Sequence, residues 1–160
     1  MELYAIELRL NGQPRKASVT VADTLLDVLR TQLGAHDVKN GCGQGDCGAC
    51  TVLLDGRAVN SCLTLAVQAD GSEVTTLRGL GTPEDPHPLQ EAFVRHGAIQ
   101  CGFCTSGMVL AAKSFLDDHP EPTRDEIREG ISGNLCRCTG YTKIVDAIEE
   151  AAHVNAGGRS

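Results

Sequence analysis

The sequence predicts an α+β protein in two unlike parts: a small mixed sheet curled over one helix, and then a bundle of four helices. Three observations predict it. Within the first 77 positions short strand-like segments, AIELRL and ASVTV before and TVLL, RAVNSC and EVTTL after, flank one helical stripe. Residues 78–88, RGLGTPEDPHP, gather three prolines and two glycines, the composition of a linker. Beyond that stretch the apolar spacing becomes helical.

The elements follow in order. Ile6, Leu8 and Leu10 share one face of AIELRL, and Glu7 and Arg9 take the other. NGQP reads as a turn, and ASVTV resumes the alternation, giving an opening hairpin. Thr24 and Asp27 form a capping box for a helix striped by Leu25, Leu26, Leu29 and Leu33, with Gly34 placed to end it. TVLL and RAVNSC flank a turn at Asp55 and Gly56 and make a second hairpin, and EVTTL adds one more strand. The first domain therefore spans residues 1–77 and the linker 78–88. Residues 89–154 hold four short helices: LQEAFVRHG, a run from Ser106 to Asp118, TRDEIREGI with a Thr123–Glu126 capping box, and YTKIVDAIEEAAH. The tail, 155–160, reads as frayed.

Composition narrows the function. The chain has 160 residues, a net charge of −7 and 14 scattered basic residues, so it lacks the positive field that collects nucleic acid. No apolar run approaches the roughly 20 residues of a membrane span or resembles an export signal, which points to the cytoplasm. With three Phe, two Tyr and no Trp, a small core invites extra cross-links, and eight cysteines can supply them. In a reducing compartment those thiols favour metals or redox chemistry over disulfides.

The cysteines fall into two sets. GCGQGDCGAC places Cys42, Cys47 and Cys50 in C-x4-C-x2-C order, with Cys62 closing the following hairpin; this is the plant-type ligand order for a [2Fe–2S] cluster, with a shortened gap to the fourth ligand. Gly41, Gly43, Gly45 and Gly48 let the backbone approach sulfur closely enough to donate N–H groups. Cys101 and Cys104 form CGFC, and Cys136 and Cys138 form CRC; on facing loops, each pair can chelate one iron of a second cluster. Four and four use every cysteine. Structural zinc is the alternative, but the triple-cysteine loop and the C-x-C pair depart from the usual paired zinc knuckles. Gly43, Gly45 and Gly48 also match the dinucleotide fingerprint G-x-G-x-x-G, yet a helix precedes them and a strand follows, the reverse of what that motif needs. Histidines 36, 87, 96, 119 and 153 stand outside these motifs and read as structural or surface groups, and Asp117, Asp118, Glu149 and Glu150 as solvated helix faces.

GCGQGDCGACTV, QCGFCTSGM and GNLCRCTGY together resemble the three signatures of the small iron–sulfur subunit of the molybdenum hydroxylases, the xanthine dehydrogenase and carbon monoxide dehydrogenase family, over residues 3 to 150. The resemblance implies a plant-ferredoxin-like (β-grasp) N-terminal domain and a helical C-terminal domain, each with one [2Fe–2S] cluster. It further implies a large subunit carrying molybdenum-pterin and a medium subunit carrying FAD, in a heterotrimer or its dimer. Electrons would run from molybdenum through the C-terminal and then the N-terminal cluster to flavin, with no catalytic residue on this chain. Gln100 and Cys138 would lie against the pterin. One position departs from the family pattern: Ser106 stands where proline is usual, although Ser suits a helix start. A free-standing two-cluster ferredoxin is the competing reading; it predicts a well-behaved monomer, whereas a relay subunit needs an apolar docking patch.

Overall fold

A computed structural model describes residues 2–157. β1 (Tyr4–Leu10) and β2 (Gln13–Val19) form an antiparallel hairpin, and α1 (Leu25–Thr31) follows. The turn is tighter than expected: Asn11 and Gly12, at φ 52° and 79°, make it alone, so Gln13 and Pro14 belong to β2. Proline is tolerated there because β2 is an edge strand and needs no amide on its outer side. Thr24 Oγ1 accepts from the Asp27 amide to start α1, and Gly34, at φ 69°, turns the chain away after it.

β3 (Thr51–Leu54) and β4 (Arg57–Asn60) form the second hairpin across Asp55 and Gly56, and β5 (Glu73–Thr75) runs between β1 and β3. The strand order is β2-β1-β5-β3-β4, with β5 parallel to β1 and antiparallel to β3. Leu8, Val19, Leu25, Leu29, Val52 and Val74 close the core between this mixed sheet and α1.

The expected linker is partly ordered. α2 (Leu77–Leu80) occupies its start, and the Asp37 carboxylate accepts the Arg78 amide at its first turn. Four further helices follow: α3 (Pro88–Arg95), α4 (Thr105–Asp118), α5 (Arg124–Gly130) and α6 (Thr142–Gly157). Leu89, Phe93, Met108, Ile127, Ile144 and Ile148 pack a second core. α6 runs further than the tail expected from residue 155, because the buried stripe continues through Ala151 and Ala152 and the next turn completes the helix; residues 158–160 lie outside the described residues. The carboxylates read as solvated faces are mostly paired: Glu149 and Asp146 hold Arg124, Glu150 meets Arg95 and His96, and Lys113 holds Asp117. Among the described residues no helix is long and apolar enough to cross a membrane.

The two cores meet along α4. Its Gly107 lies so close to the Gly48 carbonyl that a Cβ would collide with it, and the Ser114 hydroxyl accepts the Ala58 amide at 3.1 Å. This seam carries both cysteine loops.

Candidate metal centres

The first loop leaves α1 and enters β3, so the glycine match to a dinucleotide motif has the opposite polarity from a phosphate-binding turn. Cys42 is exposed, Cys47 half-buried, and Cys50 and Cys62 are buried in the first core. The amides of Gln44, Asp46 and Cys47 point at Cys42 Sγ from 3.5, 3.3 and 3.4 Å. Those amides, Gln44 first and Cys47 next, draw the Cys42 thiol down to about 6. Burial, then hydrogen bonding to Cys50, pushes Cys62 up to about 11. The Cys47 side chain also lowers Cys42, as Cys50 raises Cys62, which associates the four thiols in twos.

Glycine is needed here for space as much as for conformation. A Cβ on Gly41 would lie 2.7 Å from Cys47 Sγ. One on Gly48, at φ 69°, would meet the Gly133 carbonyl at 2.5 Å and Asn134 Nδ2 at 2.6 Å. Gly43 and Gly45 supply the positive-φ turns between the donating amides.

The second set sits where α3 passes to α4 and α5 to α6. Cys101 and Cys138 are exposed, and Cys104 and Cys136 half-buried. The sulfurs associate across the motifs rather than within them: Cys138 Sγ lies 3.6 Å from Cys101 Sγ, and the Cys104 and Cys136 side chains shift each other's thiols. The expected grouping, CGFC on one iron and CRC on the other, differs from this. Cys104 caps α4 while Cys101 precedes the left-handed turn at Gly102, φ 84°, and the CRC loop lies alongside, so each sulfur finds its neighbour on the opposite loop. Burial, then the Cys136 side chain, pushes Cys104 up to about 12. Burial also pushes Cys136 up, but the Thr139 hydroxyl and amide, with the Cys138 amide and the Cys104 side chain, together outweigh it and leave that thiol below its ordinary value. Cys138 is raised by its hydrogen bond to Cys101.

These arrangements fit binuclear iron better than one tetrahedral ion. Two thiolates bound to one metal at about 2.3 Å stand about 3.8 Å apart, close to the Cys101–Cys138 separation. Among the described residues no three candidate ligands converge on a single ion position. Pairs of sulfurs, each pair set for its own metal, are what a two-iron cluster requires.

Several residues that the sequence reading passed over hold the two loops together. Asn134, only 7% exposed, donates to the Gly48 carbonyl at 3.0 Å and to Thr51 Oγ1 at 3.3 Å. The Leu135 amide donates to the Cys47 carbonyl at 2.9 Å, so one peptide hydrogen bond links the residue before Cys136 to a cysteine of the other set. All lie within GNLCRCTGY, whose uncharged members gave no chemical signal beyond the cysteines. Gln100 is exposed beside Cys101. Ser106 sits in the first turn of α4 with its hydroxyl buried and unpartnered, at the position where the related pattern has a proline. Of the histidines, His87 caps α3 and His96 pairs with Glu150.

Residues 8–76 match the family described as 2Fe-2S iron-sulfur cluster binding domain, and residues 76–149 match the [2Fe-2S] binding domain. The chain is 48% identical to the nicotinate dehydrogenase small FeS subunit of Eubacterium barkeri, over 94% of this chain and 96% of that one. It is 45% identical to the aldehyde oxidoreductase iron-sulfur-binding subunit PaoA of Escherichia coli K12, over 94% and 72%. In the crystal structure of quinoline 2-oxidoreductase from Pseudomonas putida 86, one chain superposes with a TM-score of 0.92 at 49% identity, covering 100% of this chain and 99% of that one. In the aldehyde oxidoreductase of Desulfovibrio desulfuricans the same fold, at a TM-score of 0.92 and 46% identity, makes up 18% of a longer chain.

Proposed function

The chain belongs to the iron–sulfur small subunits of the molybdenum hydroxylase family, and from that premise we propose how its residues serve as the electron relay of such an enzyme. Cys42, Cys47, Cys50 and Cys62 hold one [2Fe–2S] centre, and Cys101, Cys104, Cys136 and Cys138 hold the other. The observation that carries this reading is the approach of Cys101 and Cys138 Sγ to 3.6 Å, with Cys104 acting on Cys136, Cys47 on Cys42 and Cys50 on Cys62, the outer pair at each site more exposed than the inner. A [2Fe–2S] centre supplies one-electron storage at a potential set by its surroundings.

The chain's own groups do the rest. The amides of Gln44, Asp46 and Cys47 stabilise negative charge on Cys42. The Leu135 N–H to Cys47 carbonyl hydrogen bond and the Asn134 bridge fix the spacing of the two loops. Gln100 and Cys138, both exposed, face the subunit that carries molybdenum-pterin, and Cys42, the exposed thiol of the first loop, marks the side turned to an FAD subunit. The substrate pocket lies on the partner, the assembly is a heterotrimer or its dimer, and its place is the cytoplasm. The free-standing carrier is not favoured, since the relatives are named as subunits of larger oxidoreductases.

Iron and acid-labile sulfide analysis of the purified complex, with EPR on stepwise reduction, tests this. About four irons and four sulfides per chain and two distinct signals are expected. A folded chain carrying zinc, or one signal only, would overturn it.

A further inference from the structure

We propose that Thr139 and Tyr141 are positioning residues that tune the second centre through a closed ring of hydrogen bonds around Cys136. This rests on the reading of Cys136 as an iron ligand. The Thr139 hydroxyl donates to Cys136 Sγ at 3.1 Å, and the Thr139 amide points at the same sulfur from 3.4 Å. The Tyr141 amide donates to Thr139 Oγ1 at 3.2 Å, which occupies a hydroxyl lone pair and leaves its proton for the sulfur. The Cys136 amide closes the ring by donating to the Tyr141 hydroxyl at 2.8 Å. The Thr139 hydroxyl both accepts from the Tyr141 amide and donates to the sulfur, so the first bond polarises the second.

The backbone is bent to allow this. Tyr141 stands at φ 69°, a left-handed conformation that is uncommon for a bulky side chain and persists only where its surroundings enforce it. That conformation precedes α6 and brings the half-buried ring back beneath the CRC loop. In the first loop the groups that reach Cys42 are main-chain amides and the Cys47 side chain, with no hydroxyl among them.

A hydroxyl donating to a ligand sulfur favours the more negative, reduced state of the centre. The hydroxyl of Thr139 therefore holds the second centre at a higher potential than its cysteines alone would give. The test is a redox titration of the complex, each centre followed by its own EPR signal, with the native protein, Thr139→Val and Thr139→Ser. Valine matches threonine in shape and lacks the donor. T139V is expected to lower the midpoint of the second centre and change its line shape, while T139S keeps both and the first centre stays fixed in all three. Loss of the second signal in T139V, with T139S native, would show that the hydroxyl serves assembly of the centre rather than its potential, and would overturn the proposal. An unchanged second midpoint in T139V, or an equal shift of both centres, overturns the proposal. Absence of a second signal in the native complex would instead overturn the ligand assignment on which it rests.

Discussion

The two cysteine loops perform the same task with different materials. Each presents a more exposed pair of sulfurs and a more buried pair, so the electrostatic problem is shared: thiolates must be stabilised at the edge of a small core. The first loop solves it with the main chain. Glycines at 43 and 45 turn successive amides of Gln44, Asp46 and Cys47 onto one sulfur. In the second loop the Leu135 amide goes to the Cys47 carbonyl and the Cys136 amide to the Tyr141 hydroxyl, and Thr139 adds a hydroxyl to its own amide at Cys136. Amide cradles tolerate changes of side chain but not of backbone. Side-chain cradles do the opposite.

The sharpest way to break this comparison is at Gly48, where the two solutions touch. Gly48→Ala forces a left-handed alanine, costing roughly 1–2 kcal/mol, and drives its Cβ into Gly133 and Asn134 at 2.5 and 2.6 Å. Loss of the first centre and a drop of about 3 kcal/mol or more in stability is expected when strain and overpacking combine. Gly43→Ala has the same φ of 69° but its nearest neighbour, Asn40 Oδ1, lies 3.7 Å away. It should cost only about 1 kcal/mol and keep both centres. Iron content and thermal melting of the two variants check this; equal effects would show that contact across the seam does not matter.

Asn134 comes next in size. Asn134→Ala leaves the buried Gly48 carbonyl and Thr51 hydroxyl without that partner, at a cost of about 1–3 kcal/mol. Because the residue touches the first loop through its main chain and no sulfur directly, the denaturant midpoint should fall while both EPR signals keep their shapes. A changed line shape at the first centre, with stability unaltered, would assign Asn134 an electronic role instead.

Much of this was legible in the sequence, and the reasons are physical. Strand alternation around Ile6, Leu8 and Leu10 and the Asp55–Gly56 turn specify their hairpins locally, and the structure has both. The cysteine spacings named the chemistry because few ligand sets share them. The pairing of sulfurs across CGFC and CRC was not legible, since it depends on how two helix joints lie side by side. Asn134, Thr139 and Tyr141 were equally silent. A polar, uncharged residue acquires its meaning from the atom it reaches, and these reach across a seam or around a left-handed turn that no periodicity encodes. The ordered start of the linker is similar: α2 depends on Asp37, forty-one positions earlier, accepting at its first turn.

The smallest effect concerns pH and separates the two halves again. His87 caps α3, its Nδ1 accepting the Leu89 amide at 3.2 Å, so the cap requires the neutral ring. Burial, and then the charge of Lys113, holds the His87 pKa below its ordinary value. A base with a depressed folded pKa takes up protons more readily when unfolded. Its contribution is therefore complete above the unfolded value of 6.5 and is lost as pH falls from there through the folded value. Melts between pH 7.5 and 5.5 should show the α3 region weakening by no more than about 1 kcal/mol, the worth of one cap. His87→Asn keeps a capping acceptor that does not titrate in this range, so it should flatten that slope without touching either EPR signal. The amide cradle of the first loop has no such titrating donor. An equal slope in H87N would place the pH sensitivity outside this cap.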